Sequence, residues 1–171
     1  MVRSAKSSDI PSLVELHLYA WIALYKNWVR PDQQPSLDRS YRSEKFQRMI
    51  ASPDHVVLVA EVSGRVVGMA LAGPNIYYPD PYYTTCIECL YVYKAYIRQS
   101  IGDKLFDTLL AQLKVEGKKR VMLWCIAKNE AGRRFFSQKK VILSNRFPCL
   151  NIFKGLPPLF SLGSSDSNQF S

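Results

Sequence analysis

A chain of 171 residues with 47% apolar and 12% aromatic content is long enough to enclose a core and too apolar for disorder. No apolar stretch approaches the roughly 20 residues that span a bilayer, and Met1-Val2-Arg3-Ser4-Ala5-Lys6 lacks the apolar centre of a secretory signal, so a cytoplasmic protein without membrane contact is expected. The net charge of +9 suits an anionic ligand, but the basic residues are dispersed, densest at Lys118-Lys119-Arg120 and Arg133-Arg134; a solvated basic face accounts for them better than a nucleic-acid patch.

Val2 to Ala5 reads as a short extended segment. Ile10, Leu13, Val14, His17, Trp21 and Leu24 then recur at helical spacing behind Ser7-Ser8-Asp9, which supplies N-cap candidates. Pro11 falls in the first turn, where its missing N–H is not needed. His17 shares the apolar face and is expected to pack rather than to catalyse. Val29 to Ser36 is a polar loop containing prolines, and a second helix is expected from near Tyr41 to Ile50, ending before Pro53. His55 to Val62 and Arg65 to Ala72 form a hairpin on a Ser63-Gly64 turn, with Gly73-Pro74-Asn75 ending the second strand. Ile76 to Tyr83 carries four tyrosines and two prolines and is either a stiffened connection or an aromatic wall over a pocket.

Thr84 to Val92 is a third long strand. The helix that starts at Ile101 buries Leu105, Phe106, Leu109 and Leu113 and stops at Gly117, a typical residue just past a helix end. Arg120 to Ile126 is another apolar strand, Asn129 caps a helix ending near Lys139, and Val141 to Ser144 and Leu150 to Phe153 are final short strands. Residues 1–154 read as one domain and residues 155–171, rich in Gly, Pro and Ser, as a flexible tail. The order β-α-α-β-β-β-α-β-α-β-β defines an α/β (α+β) domain: a mixed, mostly antiparallel sheet with helices on both faces.

Cysteines stand at positions 86, 89, 125 and 149. Cys86 and Cys89 have metal-pair spacing, but on a regular strand residues three apart point to opposite faces. No second pair or nearby histidine completes a site. All four are expected to be reduced and mostly buried, with no metal.

Two stretches carry the chemistry. In Leu90-Tyr91-Val92-Tyr93-Lys94-Ala95-Tyr96-Ile97-Arg98-Gln99-Ser100-Ile101-Gly102-Asp103-Lys104-Leu105-Phe106 a strand runs through a short loop into an amphipathic helix. The free N–H groups of the first helical turn then face the space beyond the strand end, where a pyrophosphate can be held. The second stretch is Asn129-Glu130-Ala131-Gly132-Arg133-Arg134-Phe135-Phe136.

Together these stretches resemble the signature motifs of the GNAT superfamily of N-acetyltransferases. Asp9-Ile10-Pro11, Val57-Leu58-Val59-Ala60-Glu61 and Gly64-Arg65-Val66-Val67-Gly68 add weaker likenesses in the same order, and the resemblance covers roughly Val2 to Arg146. It implies acetyl-CoA as co-substrate and an amine acceptor, small molecule or peptide. It implies that Leu90, Tyr91 and Val92 pair with the pantetheine amides. The loop from Ile97 to Gly102, with Arg98, Gln99, Ser100, Ile101, Gly102 and then Asp103, would wrap the pyrophosphate, and Asn129 would cap its helix and reach the pantetheine arm. Glu88 becomes the candidate general base, unless it merely faces solvent or pairs with a lysine.

The motifs also depart from the family pattern. Ile97 replaces Gln or Arg, and Ser100 replaces the first glycine of the loop, making any positive φ there more costly. Gly132 stands for Ala, and Lys140-Val141 for Gly-Phe. Phe136 occupies the position of a tyrosine that commonly protonates the leaving thiolate. Three readings follow: an N-acetyltransferase without that acid, a non-catalytic module of the same fold that binds acyl-CoA or a partner, and, on net charge alone, a nucleic-acid-binding domain.

Overall fold

The computed structural model describes residues 1–25, 38–76, 82–118, 120–125, 129–139, 142–143 and 149–151. The expected tail and the Val29 to Ser36 loop lie outside them. The elements are β1 (Val2–Ser4), α1 (Ile10–Tyr25), α2 (Arg39–Ala51), β2 (Val56–Val62), β3 (Arg65–Pro74), β4 (Thr85–Val92), α3 (Ile101–Val115), β5 (Val121–Trp124), α4 (Glu130–Gln138), β6 (Ile142–Leu143) and β7 (Cys149–Asn151). Seven strands form one sheet in the order β1-β2-β3-β4-β5-β7-β6. Every neighbouring pair is antiparallel except β4 and β5. This is the mixed, mostly antiparallel α/β architecture expected.

Alternation along the strands divides the core in two. Val56, Leu58, Ala60, Val67, Ala70 and Ala72 face α3, packing on Ile101, Leu105, Phe106, Leu109 and Leu113 and on Phe136 of α4. Val57, Val59, Met69 and Leu71 face the other way, onto Leu13, Val14, Leu16 and Leu18 of α1 and Phe46 of α2. Helices therefore cover both faces.

Local signals set most element ends. Gly117 (φ 77° at Gly64, 75° at Gly117) takes the left-handed conformation that closes α3, with Gly117 N–H donating to Lys114 O and Lys118 N–H to Leu113 O. In the β2–β3 hairpin Ser63 and Gly64 both have positive φ, the backbone that a two-residue turn between twisted strands requires. The second helix begins at Arg39, earlier than near Tyr41, because the Asp38 carboxylate accepts from Ser40 and Tyr41 N–H. Asp9 does not cap α1 forward. Its carboxylate instead accepts from Lys6 N–H at 2.8 Å and from Arg3, whose guanidinium also holds Glu61.

Two expectations need correction. β3 does not stop at Ala72 but ends at Pro74: Gly73 and Pro74 pair with Cys86 and Thr85, and Asn75 N–H donates to Thr84 O. A proline is tolerated at a strand end, where it removes no internal ladder bond. Cys86 and Cys89 do not point to opposite faces. The β3–β4 register jumps from Leu71↔Cys89 to Ala72↔Ile87, so Glu88 is the extra residue of a β-bulge and the alternation slips by one. Cys89 packs with Leu71 and Met69, while Cys86 joins Tyr83 and Met122 on the same side of the sheet. Cys86, Cys89 and Cys125 are buried and in no disulfide, and no group of three or more His, Cys, Asp or Glu residues able to hold a metal occurs among the described residues.

The tyrosine-rich segment splits in character. Tyr77 and Tyr78 lie outside the described residues. Tyr83 is buried in the core beside Cys86 and Met122, and exposed Tyr82 stacks under Arg120, 4.9 Å from guanidinium carbon to ring centroid. No helix among the described residues is long and apolar enough to cross a membrane.

Candidate active site

The site originates where two parallel strands part. β4 and β5 pair only over Thr85↔Val121, Cys86↔Met122 and Ile87↔Leu123. The next residue is the bulged Glu88, after which Cys89 to Val92 pair, among the described residues, with β3. A bulge bends and overtwists its strand, and this one stands directly after the last described β4–β5 pair. Among the described residues no strand pairs with β4 beyond Ile87 on the side of β5.

A cleft of about 620 Å³ opens at this divergence. β4 contributes Glu88, Cys89, Leu90, Tyr91 and Val92; the following loop contributes Lys94, Tyr96, Ile97, Arg98 and Ser100; and the start of α3 contributes Ile101, Gly102 and Asp103. Cys125, Asn129, Gly132, Phe135 and Phe136 close the opposite side, and Tyr19 of α1 stands at the rim. Of the residues expected at the site, only Gln99 is absent from this lining. Its amide donates to Ala95 O at 3.3 Å.

The loop before α3 is left-handed at two positions, Arg98 (φ 65°) and Ser100 (φ 57°, ψ 16°). Ser100 makes no side-chain bond to the helix, and the first intrahelical bond runs from Lys104 N–H to Ser100 O. The N–H groups of Ile101, Gly102 and Asp103 thus precede the helical ladder and face the cleft without a cap. A Cβ built on Gly102 would come no nearer than 3.6 Å to Phe135, so the turn is open to a ligand. The residues present fit a phosphate-bearing group.

Opposite, Asn129 caps α4, its Oδ1 accepting from Gly132 N–H at 3.0 Å. A Cβ on Gly132 would lie 2.6 Å from the Asn129 amide nitrogen, so glycine at this position lets the asparagine fold back onto its own helix. Phe136 is 8% exposed and packs edge-on against Phe135 and tilted against Phe106. Lys140 and Val141 lie outside the described residues.

Glu88 lines the cleft, and its carboxylate pairs with Lys45 Nζ of α2 at 3.4 Å, with the Glu88 side chain 12% exposed; the lysine pairing is the alternative the sequence left open. Behind it His17 is packed, as expected, edge-on to Phe46 and Tyr91, with Nδ1 against the Arg42 guanidinium. Burial first, then the charges of Arg42 and Lys45, push the imidazole down to about 4, so it is neutral at pH 7. Burial likewise raises the Cys89 and Cys125 thiols, which are therefore protonated.

Sequence reasoning gave no role to Tyr19 and Tyr96 at the cleft, to buried Arg42, or to Lys139 (below). Tyr96 lies within the strand-loop-helix stretch already singled out, and Lys139 is a basic residue at the end of α4; Tyr19 and Arg42 come from elements distant in the chain.

Residues 19–139 match the model of the acetyltransferase (GNAT) family, and the chain belongs to that family, whose members are acyltransferases that move acetyl from acetyl-CoA. A probable N-acetyltransferase of Mycobacterium tuberculosis is 25% identical over 147 residues, 85% of this chain and 81% of the relative. PaiA N-acetyltransferase of Thermoplasma acidophilum, solved in complex with coenzyme A, superposes with a TM-score of 0.72 at 18% identity, covering 88% of this chain and 96% of the other. A ribosomal-protein-alanine N-acetyltransferase of Brucella melitensis gives 0.68 at 22% identity, with 83% and 84% covered.

Proposed function

We propose that this protein transfers acetyl from acetyl-CoA to a primary amine of a small molecule or peptide in the cytoplasm, by direct attack within a ternary complex. The observation that carries this reading is the shared cleft: bulged Glu88 at one end and the uncapped first turn of α3 at the other. The co-substrate supplies an activated thioester, so positioning the amine accounts for much of the rate. Ile101, Gly102 and Asp103 N–H groups, with Arg98 beside them, hold the pyrophosphate. The backbone of Leu90 to Val92 and the Asn129 side chain take the pantetheine amides. Glu88 accepts a proton from the acceptor ammonium, directly or through water. The amine nitrogen forms the new bond to the acetyl carbon as the bond to sulfur breaks, and it loses its second proton to solvent. Phe136 has no proton to give, so the departing thiolate is protonated from solvent.

Thiol release measured over a panel of amines tests this. A positioned general acid or base contributes roughly 10²–10⁴-fold. Phe136→Tyr is expected to raise turnover, and Glu88→Gln to lower it, most at low pH where the amine is protonated. Coenzyme A binding without turnover in the parent and in Phe136→Tyr would favour the non-catalytic reading. Turnover unmoved by either substitution would remove both residue assignments.

A further inference from the structure

Asp103 poses an electrostatic problem. It is the third residue of α3 and lines the cleft, so its carboxylate stands in the turn whose N–H groups receive the pyrophosphate in the reading above. An uncompensated negative charge there opposes a second anion.

The structure compensates it from the far end of α4. Lys139 Nζ lies 3.0 Å from Asp103 Oδ1 and 3.0 Å from Asp107 Oδ1. The lysine side chain is 20% exposed, against 49% and 64% for the two aspartates. Three restraints fix the ammonium. Lys139 is the C-cap of α4, with its N–H on Phe136 O at 3.0 Å. Its ammonium lies 6.0 Å from the Phe106 ring centroid and 5.8 Å from that of Phe135. Asp103 and Asp107, one helical turn apart, share the charge between them. A lone surface ion pair contributes little, but this one joins the start of one cleft wall to the end of the other.

We propose that Lys139 is a positioning residue for the co-substrate anion: it offsets part of the Asp103 charge and ties α4 to the first turn of α3, leaving that turn receptive to pyrophosphate. The proposal rests on the pyrophosphate reading above. Lys139→Met keeps the aliphatic stem and removes the charge. By calorimetric titration at low salt, it is expected to weaken coenzyme A binding about fivefold, the worth of one nearby unit charge at a partly exposed site, while binding of pantetheine, which lacks the pyrophosphate, is unchanged. Lys139→Arg should bind like the parent. Asp103→Asn should tighten coenzyme A binding, and combined with Lys139→Met should restore the parent affinity. A folded Lys139→Met that binds coenzyme A as tightly as the parent would overturn the proposal. So would an equal loss for coenzyme A and pantetheine, which marks mere packing. If Lys139→Met does not fold, Asp103→Asn decides alone, and unchanged or weaker binding overturns the proposal. A parent that binds pantetheine as tightly as coenzyme A removes the pyrophosphate reading itself, and this proposal with it.

Discussion

Replacing Ser100 with glycine isolates what the left-handed loop contributes. Ser100 has φ 57° and ψ 16° and makes no capping bond. An L-residue in this region bears roughly 1–2 kcal/mol of strain. Glycine relieves that strain, but its greater freedom in the unfolded chain returns about 0.4–1 kcal/mol. The net expected gain is about 0.5–1 kcal/mol, or a melting temperature higher by roughly 1–4 °C for a chain of this size. Ser63, with φ 48° in the β2–β3 turn, is the matched control: Ser63→Gly should stabilise by a similar amount. Only Ser100 lies on the cleft. Ser100→Gly should therefore also tighten coenzyme A binding by up to about fivefold, as backbone approaches phosphate unobstructed, whereas Ser63→Gly should leave affinity alone. Thermal melts with and without coenzyme A, and a titration of each variant, make the comparison. A lower melting temperature for Ser100→Gly would refute the strain argument. An equal change of affinity in both variants would show that the loop does not contact the phosphates.

Two further outcomes follow from the core. The native His17 imidazole titrates at about 4, below its unfolded value of about 6.5, so the unfolded chain binds the proton first as pH falls. The stability held by neutral His17 is complete above about pH 7 and is lost as the pH falls towards 4, by roughly 1–3 kcal/mol. Urea unfolding of the parent and of His17→Gln should show a pH-dependent gap between them across that window, and a constant gap would refute the assignment. A Cβ on Gly73 would stand 2.4 Å from the His55 ring, so Gly73→Ala should destabilise by about 1–3 kcal/mol; an unchanged urea midpoint would show that the ring simply swings aside.

Much of the fold was legible because its signals are local. The spacing of Leu105, Phe106, Leu109 and Leu113 put one face of α3 in the core, Gly117 ended that helix, and Asn129 began the next, each through chemistry within a few residues. The strand-loop-helix joint was visible for the same reason. The bulge at Glu88 was not, because a bulge is a mismatch between two strands and exists only once β3 is paired beside β4. That single extra residue turned the two cysteines to one side of the sheet and falls where the described β4–β5 pairing stops. It also set a carboxylate at the mouth of the resulting cleft. The contacts of Glu88 with Lys45, of His17 with Arg42 and of Asp103 with Lys139 span 43, 25 and 36 positions. Residue identity along this chain determined its elements and which faces are buried. Tertiary packing alone decided which charges meet, because charge pairing depends on distances of a few ångströms that sequence separation does not encode.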